Sequence, residues 1–472
     1  MVKQASPKRI KSCKTVVSSN IKRQCSNAER VQYFFKYLGS SQAQYTLMSA
    51  IWNNRKFYGH GRTEDMARQD VVNQIRKERL QSTQTAAING LPNYQQSSSF
   101  PDYVENLVSN SFRERTNGHP EVADYKELAG IVLTDSLGHD RVIAIATGTK
   151  CINGGNLVPN GCVLNDSHAE IIARRCLMNF LYTQLKMHCH PSEAEQSIFY
   201  RTPWGKFALK PNYHFHLYIT SPPCGDARFY IHNKASLDGN QGQLRLKVQG
   251  LGGNPPSGQA YVRQTFDAIR NGQSLSTMSC SDKIVRWNVL GVQGALLSSL
   301  IEPIYLSSIV LGSMFHREHL YRAVCGRLQS ILWGVPQPFR LNFPDLFTVS
   351  GKRPQRFCER TPAIGINWTI GDQDIEIVSL PVGRLIDNRS SKLCKYAFFC
   401  KYIYLLKHLP GLDIPIIPIY SQAKLCCASD YYLAKLKLNN TLFYEGLGVW
   451  VHKPPELNDF HIANGDVEHQ FV

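Results

Sequence analysis

Along most of the chain, apolar residues recur with one of two periods, and the change from one period to the other marks out elements. Residues 128–135 (LAGIVLTD) and 141–148 (RVIAIATG) are short β-branched apolar runs separated by a polar, glycine-containing break, which predicts a strand pair. Residues 168–187 (HAEIIARRCLMNFLYTQLKM) switch to helical spacing, with Ile171, Ile172, Arg175, Leu177, Met178 and Leu181 expected on one buried face. Residues 214–220 (HFHLYIT) read as a strand ending at 221–230 (SPPCGDARFY), where another helix begins. Upstream, residues 29–38 (ERVQYFFKYL) read as a helix with an aromatic face, and 44–52 and 56–58 as two strands around an Asn53-Asn54 turn. Gly59-His60-Gly61 is expected to break the second strand, and Thr63 to cap a helix running to about Leu80.

Residues 81–99 (QSTQTAAINGLPNYQQSSS) carry no charge and are rich in Gln, Ser and Asn, the composition of a linker. From residue 101 onwards, strand-like and helical runs alternate with no sustained repeat and no second linker, which predicts one large α/β domain. The most apolar region, 291–315, is interrupted by Glu302, Pro303 and several serines, so it reads as buried core and no transmembrane helix is expected.

Composition narrows the class. Of 472 residues, 43% are apolar and 10% aromatic, enough for a large core and too many for a mostly disordered chain. The formal net charge of +17 predicts attraction to a polyanion, nucleic acid or an anionic membrane surface. Part of that charge lies in residues 1–28, which hold seven Lys/Arg and no acid: a solvated basic tail, or in a functional reading a nuclear address or an RNA-contacting tail. The 14 cysteines are spread through a long chain with no signal-peptide pattern, which fits free thiols and metal ligands in a reducing compartment.

The candidate chemistry begins at Ser167-His168-Ala169-Glu170, a His and a Glu two apart at a predicted helix start. The imidazole of such a pair can bind a metal while the carboxylate stands beside the metal's water. Pro223-Cys224-Gly225 follows at a strand-to-helix turn, where helix N–H groups and the helix dipole favour a thiolate. An H-x-E followed by P-C is the signature of zinc nucleobase deaminases, which usually complete the site with C-x-x-C. Here Ala227 stands where that second cysteine would be. The third ligand therefore comes from elsewhere or the site is inactive; Cys280, in TMSCSDKIVRWN, is the best candidate, and three protein ligands leave one position for water. Singly, each motif has a plainer reading, since the chain has 15 histidines and a lone buried Cys is ordinarily a small hydrophobe.

Residues 127–455 resemble the catalytic domain of the adenosine deaminases acting on RNA. The stretches that carry the likeness include LAGIVLTD, ATGTKC, LNDSHAEIIARR, SPPCGDARFY, QGQLRLKV, TMSCSDKIVRWNVLGVQG, LCKYAFFCKY and GLGVWVHKP, in family order. The resemblance implies a cytidine-deaminase-like mixed α/β sheet with flanking helices, enlarged into an editase domain over 101–472. It implies zinc held by His168, Cys224 and Cys280, with Glu170 moving protons as hydroxide attacks C6 of a flipped-out adenine in double-stranded RNA and ammonia leaves. It further implies a buried inositol hexakisphosphate, which needs many cations around it. The matching positions are Asn165, Arg174, Arg175, Lys283, Arg286 and Trp287, then Gln293, Lys395, Tyr420, Lys424, Trp450 and Lys453. Ala295 stands where the family usually has Ser, and His452 where it often has an acid.

On the same basis Thr149 and Lys150 line the substrate pocket and Arg228 contacts RNA near the edited base. In the flipping loop, Gln249-Gly250-Leu251-Gly252-Gly253, Gly252 falls where the family has an acidic or amide side chain, and a glycine cannot fill the space a flipped base leaves. Residues 29–80 resemble the second half of a small α+β double-stranded-RNA-binding domain, but Glu64 and Asp65 replace two phosphate-facing lysines and only Arg68 keeps the charge. That unit is expected to bind RNA poorly and to dock a partner protein instead, with Tyr33, Phe34, Phe35 and Tyr37 as candidates unless they form its own core. Two other functions fit parts of the pattern: a tRNA adenosine deaminase, and a catalytically silent RNA-binding relative. The first lacks the N-terminal module; the second loses metal ligands that this chain keeps. A nuclear location is expected.

Overall fold

A computed structural model gives the three-dimensional structure and describes residues 36–40, 46–52, 55–61, 71, 99–123, 125, 127–228, 241–248, 255–258, 264–351, 362–426, 428–462 and 466–467. The chain divides into two compact units, Met1–Ser97 and Ser98–Val472.

In the first unit, β1 (Lys36–Ser40), β2 (Thr46–Trp52) and β3 (Arg55–Gly61) form an antiparallel sheet in the order β1-β2-β3. Trp52 pairs with Arg55, the register of a hairpin closed by two residues. Two expectations are corrected. Residues 36–38, expected in a helix, lie in β1, because aromatic and aliphatic residues suit a strand as well as a helix face once a partner strand is available. Gly59-His60-Gly61 does not end β3; it pairs with Met48, Leu47 and Thr46, since the ladder uses main-chain groups that glycine also supplies. Of the helix expected after Thr63, Val71 is described, helical and buried. The basic tail, Tyr33, Phe34, Phe35, Glu64, Asp65, Arg68 and residues 81–98 of the linker lie outside the described residues.

The second unit is built on a mixed eight-stranded sheet in the order β12-β11-β8-β4-β5-β13-β14-β15. Its members are β4 (Leu128–Asp135), β5 (Arg141–Thr147), β8 (Tyr213–Ile219), β11 (Ser308–Leu311), β12 (Asp345–Thr348), β13 (Ile364–Thr369), β14 (Glu376–Ser379) and β15 (Arg384–Leu385). Strands β8, β11 and β12 run parallel; the other pairings are antiparallel, including the expected β4–β5 pair. Two smaller ribbons pair β6 (Phe199–Arg201) with β7 (Phe207–Leu209), and β9 (Leu246–Val248) with β10 (Ser276–Met278).

Period-2 alternation along β4 serves two cores. Leu128 and Val132 pack with Val104, Val108 and Phe112 of helix α1 (Phe100–Arg115) on one face. Ala129, Ile131 and Leu133 face the opposite core with Leu177, Phe180 and Leu181 of α2 (Ala169–Lys186). Helix α1 comes so close that a Cβ at Gly130 would lie 2.6 Å from Val108 Cγ1. Each fully buried Val, Leu or Phe contributes about 1.5–3 kcal/mol, so the two layers fix the sheet's register firmly. Helix α2 departs from the single buried face expected of it: Ala173, Cys176, Phe180 and Tyr182 are buried as well, while Arg175 and Met178 are only half-buried. The reason is a second layer. Helix α4 (Lys395–His408) covers the side of α2 away from the sheet, with Phe398 stacking on Tyr182 at 5.5 Å. Among the described residues no helix is long and apolar enough to cross a membrane.

Candidate metal centre and the cationic recess behind it

Three local structures converge on one point. His168 is the N-cap residue of α2, Cys280 is the first residue of α3 (Cys280–Leu290), and Cys224 lies in the turn leaving β8. The turn is locked to α3 by backbone: the Cys280 N–H donates to Cys224 Sγ at 3.4 Å and the Ser281 N–H to the Cys224 carbonyl at 3.0 Å. Gly225 takes φ +102° there, and a Cβ would lie 2.2 Å from Ser279 Oγ, so only glycine fits. Ser279 in turn caps α3 by accepting from the Asp282 N–H. The loop after β5 closes the other side, where Ala169 N–H donates to the Gly148 carbonyl at 2.9 Å and Ser167 N–H to the Lys150 carbonyl at 2.9 Å.

The result is a site whose His168, Cys224 and Cys280 ligand atoms lie within 4.8 Å of one another. Two thiols and an imidazole form a donor set suited to zinc, with one position left open. The hydrogen bond from Cys280 draws the Cys224 thiol well below its ordinary pKa, against burial and with help from the Lys247 ammonium. Glu170, in the first turn of α2, is buried, and burial pushes its carboxyl up. A buried carboxyl of raised pKa beside a metal cluster can accept a proton and return it.

Behind the ligands, Asp166 acts as a hub. Its Oδ1 is 2.7 Å from His168 Nδ1, its Oδ2 is 2.7 Å from Lys247 Nζ on β9, and it also pairs with Lys283 on α3. Lys247 donates onward to Cys280 Sγ at 3.3 Å. Burial alone would raise the Asp166 pKa; Lys247, Lys283 and His168 instead hold it well below the usual carboxylate range. Sequence reasoning singled out neither Asp166 nor Lys247. Both lie in stretches that carry the family likeness, LNDSHAE and QGQLRLKV, but nothing local distinguishes one acid before a Ser-His or one lysine on a short strand.

The positions expected around inositol hexakisphosphate form a second, strongly cationic grouping. Arg174 and Arg175 on α2, Arg286 on α3, Lys395 on α4, Lys424 on α5 (Tyr420–Cys426) and Lys453 are electrostatic neighbours in a chain. Lys435 on α6 (Ser429–Tyr444), missed in the sequence, joins them beside Arg286 and Lys424. Burial pulls the arginines down to about 10 at Arg174 and about 9 at Arg286, and the lysines to about 8 at Lys435 and Lys453. For Lys395 the strongest effects after burial are other cations, Lys453, Lys424 and Arg175. Among the described residues none of these seven side chains is paired with a carboxylate. Arg286 Nε is buried with no hydrogen-bond partner, while the guanidinium lies over the Trp450 ring. Arg174 and Arg175 each spend one Nε–H on a carbonyl, of Val292 at 2.8 Å and Leu393 at 2.6 Å. All seven side chains are partly buried and gathered close together, an arrangement that is costly without a counter-charge.

The remaining expected residues are placed as follows. Trp287 is buried under Arg174, 5.2 Å from its guanidinium, and Tyr420 stacks on Phe460 at 4.8 Å. The Asn165 carbonyl accepts from the Ile152 N–H. The Gln293 amide is used internally, donating to the Leu290 carbonyl and Ser298 Oγ and accepting from the Ile304 N–H. Thr149 and Lys150 lie in the loop held against Ser167. Arg228 closes the Cys224 turn, its N–H donating to the Gly225 carbonyl at 3.1 Å, and pairs with Glu127. Gln249 and Gly252 lie outside the described residues.

Comparison with known proteins adds an independent finding. Residues 144–454 match the family described as the adenosine-deaminase (editase) domain. The chain is 45% identical over 374 residues to the double-stranded RNA-specific editase Adar of Drosophila melanogaster, covering 77% of this chain and 55% of that protein. It is 38% identical over 441 residues to the double-stranded RNA-specific editase B2 of Rattus norvegicus, covering 88% and 58% respectively. It is 30% identical over 385 residues to the tRNA-specific adenosine deaminase 1 of Drosophila melanogaster, covering 73% and 92%. The chain thus spans little more than half the length of the two editases.

Proposed function

The chain belongs to the adenosine-deaminase (editase) domain family, and from that premise we propose that it converts adenosine to inosine in double-stranded RNA. The observation that carries the reading is the His168, Cys224 and Cys280 cluster with the buried carboxyl of Glu170 one helical turn away at most. Bound by those three residues, zinc would supply the Lewis acidity that makes water a nucleophile near neutral pH. Glu170 takes one proton from water as its oxygen attacks C6 of the adenine and passes it to N1; it then takes the second from the new C6 hydroxyl and gives it to the amine, so that the C6–N bond breaks, ammonia leaves and the C6 carbonyl of inosine remains. Asp166 fixes the His168 ring, and Lys247 partners the Cys280 sulfur, so neither ligand is free to turn away. The base must leave the duplex to reach this point, and Thr149, Lys150 and Arg228 are proposed to meet it and its flanking strand.

The cationic recess is proposed to hold inositol hexakisphosphate. Seven neighbouring cations that form no ion pair with a carboxylate among the described residues are costly to bury, and the partnerless Arg286 Nε points to an acceptor of high charge. The tRNA substrate is the second reading, favoured by near full-length coverage of the tRNA-specific relative, though at lower identity than the editases.

The deciding experiment incubates purified protein with a fully paired RNA duplex and, separately, with tRNA, and reads inosine. Inosine in the duplex, abolished by Glu170→Ala with zinc retained, is the expected result. Inosine in tRNA with none in the duplex would replace the first reading by the second.

A further inference from the structure

One carboxylate spans both ends of the turn that carries Cys224. Glu127 stands immediately before β4, and its Oε2 accepts from Thr220 Oγ1 at 2.7 Å. Its Oε1 accepts from Ser221 Oγ at 2.6 Å and from Arg228 Nη1 at 3.1 Å. Thr220 is tied to the same strand a second time, through its N–H to the Leu128 carbonyl at 3.0 Å and the Leu128 N–H to its hydroxyl at 3.1 Å. The side chains are 12% exposed at Glu127 and 26% at Arg228, so the acid is the more deeply buried partner of the pair.

We propose that Glu127 is a positioning residue that holds Arg228 in an ion pair at the mouth of the metal site, and that this pair must loosen for Arg228 to take an RNA phosphate. The inference rests on the proposed function, because it needs a polyanionic substrate at this mouth. The physics is a competition. In a chain of net charge +17, a cation four residues beyond a metal ligand is well placed to meet a backbone phosphate, but here its charge is already met by a neighbouring carboxylate. Glu127 therefore sets how much of Arg228's charge is available. Its bonds to Thr220 and Ser221 keep the acid from following Arg228 outward. The hydroxyl bonds also separate its two duties, since a neutral amide can still accept from hydroxyls but cannot neutralise a guanidinium.

The test measures equilibrium binding of a short RNA duplex to the full chain across a range of salt concentrations, for wild type, Glu127→Gln, Arg228→Ala and the double variant, with zinc content as a check on folding. Inosine formation by the wild type is measured separately and reports on the proposed function alone. Glu127→Gln is expected to bind several-fold more tightly at low salt, with a log–log salt slope steeper by about 0.9, the value for one added phosphate contact. In the Arg228→Ala background the same change should leave affinity and slope where they were. A purely structural Glu127 would alter zinc content or turnover without steepening the salt slope. An unchanged or shallower slope in Glu127→Gln, an equal effect in the Arg228→Ala background, or absence of duplex binding by both wild type and Glu127→Gln overturns the inference.

Discussion

Removing the Asp282 carboxylate should destabilise the metal-bearing helix far more than removing its ion pair whole. Asp282 lies two residues beyond Cys280, and its Oδ1 is 2.6 Å from Arg327 Nη2, with the Arg and Asp side chains 2% and 0% exposed. Its Oδ2 accepts from the Arg245 N–H at 2.8 Å and from Ser279 Oγ at 2.7 Å. Burial pushes the carboxyl up in spite of Arg327, so desolvation offsets much of what the pair gains. Breaking it from one side is another matter, because Arg327 is then stranded as a buried charge, at about 3–5 kcal/mol. Unfolding entropy is about 2.1 cal/mol/K per residue, which over roughly 375 residues makes each kcal/mol worth about 1.3 °C. Asp282→Ala should therefore lower Tm by about 4–6 °C and reduce zinc retention, because the cap at Ser279 loosens with it. Asp282→Leu combined with Arg327→Met should recover at least half of the loss. Tm is read by scanning calorimetry at one scan rate, with zinc measured on the same samples. A Tm for Asp282→Ala within a degree of wild type, or a double variant worse than the sum of the singles, would refute the reasoning.

Cys280→Ala should lose zinc by metal analysis and lose inosine formation; full zinc occupancy would move the third ligand elsewhere. Lys435→Glu places an acid in the cationic recess and should abolish co-purifying acid-extractable polyphosphate and lower soluble yield, whereas Lys437→Glu, exposed on the same helix, should do neither. His216 is buried between Thr134 and Ser308, and burial lowers its pKa to about 4. Between pH 6.5 and about 4 the unfolded chain therefore binds a proton that the folded chain does not, and stability falls with pH by up to about 3 kcal/mol. His216→Gln should flatten that part of the pH–stability curve, as read by urea midpoints.

The motifs that could be found by eye were those in which chemistry is local. His168 and Glu170 share a helix start, and Cys224 follows a strand, so spacing alone made them candidates. Ala227 left a gap in the expected C-x-x-C, and Cys280 filled it only as a candidate until α3 brought it beside Cys224. Asp166, Lys247 and Glu127 were not legible. Each acts across long loops, as between Asp166 and Lys283 or between Glu127 and Arg228, and no local period marks such partners. Lys435 was passed over because a lysine on a helix normally belongs to a solvated face, and only the packing of α6 shows that this one is desolvated.

By itself the sequence determined what short-range physics controls. Short apolar runs bounded by polar breaks set the β4–β5 and β8 strands, the change of period set α2, and the donor types at 168, 224 and 280 set the class of metal. Tertiary structure decided whatever depends on what lies opposite. Residues 36–38 became a strand because β2 was there to pair with them, and α2 was buried on nearly every side because α4 covers it. The positive charges were countable in the chain, but whether they meet water, a carboxylate or one another is settled by long-range packing. Charge energies change several-fold with burial and with a neighbour a few ångströms away, and neither is written in local sequence.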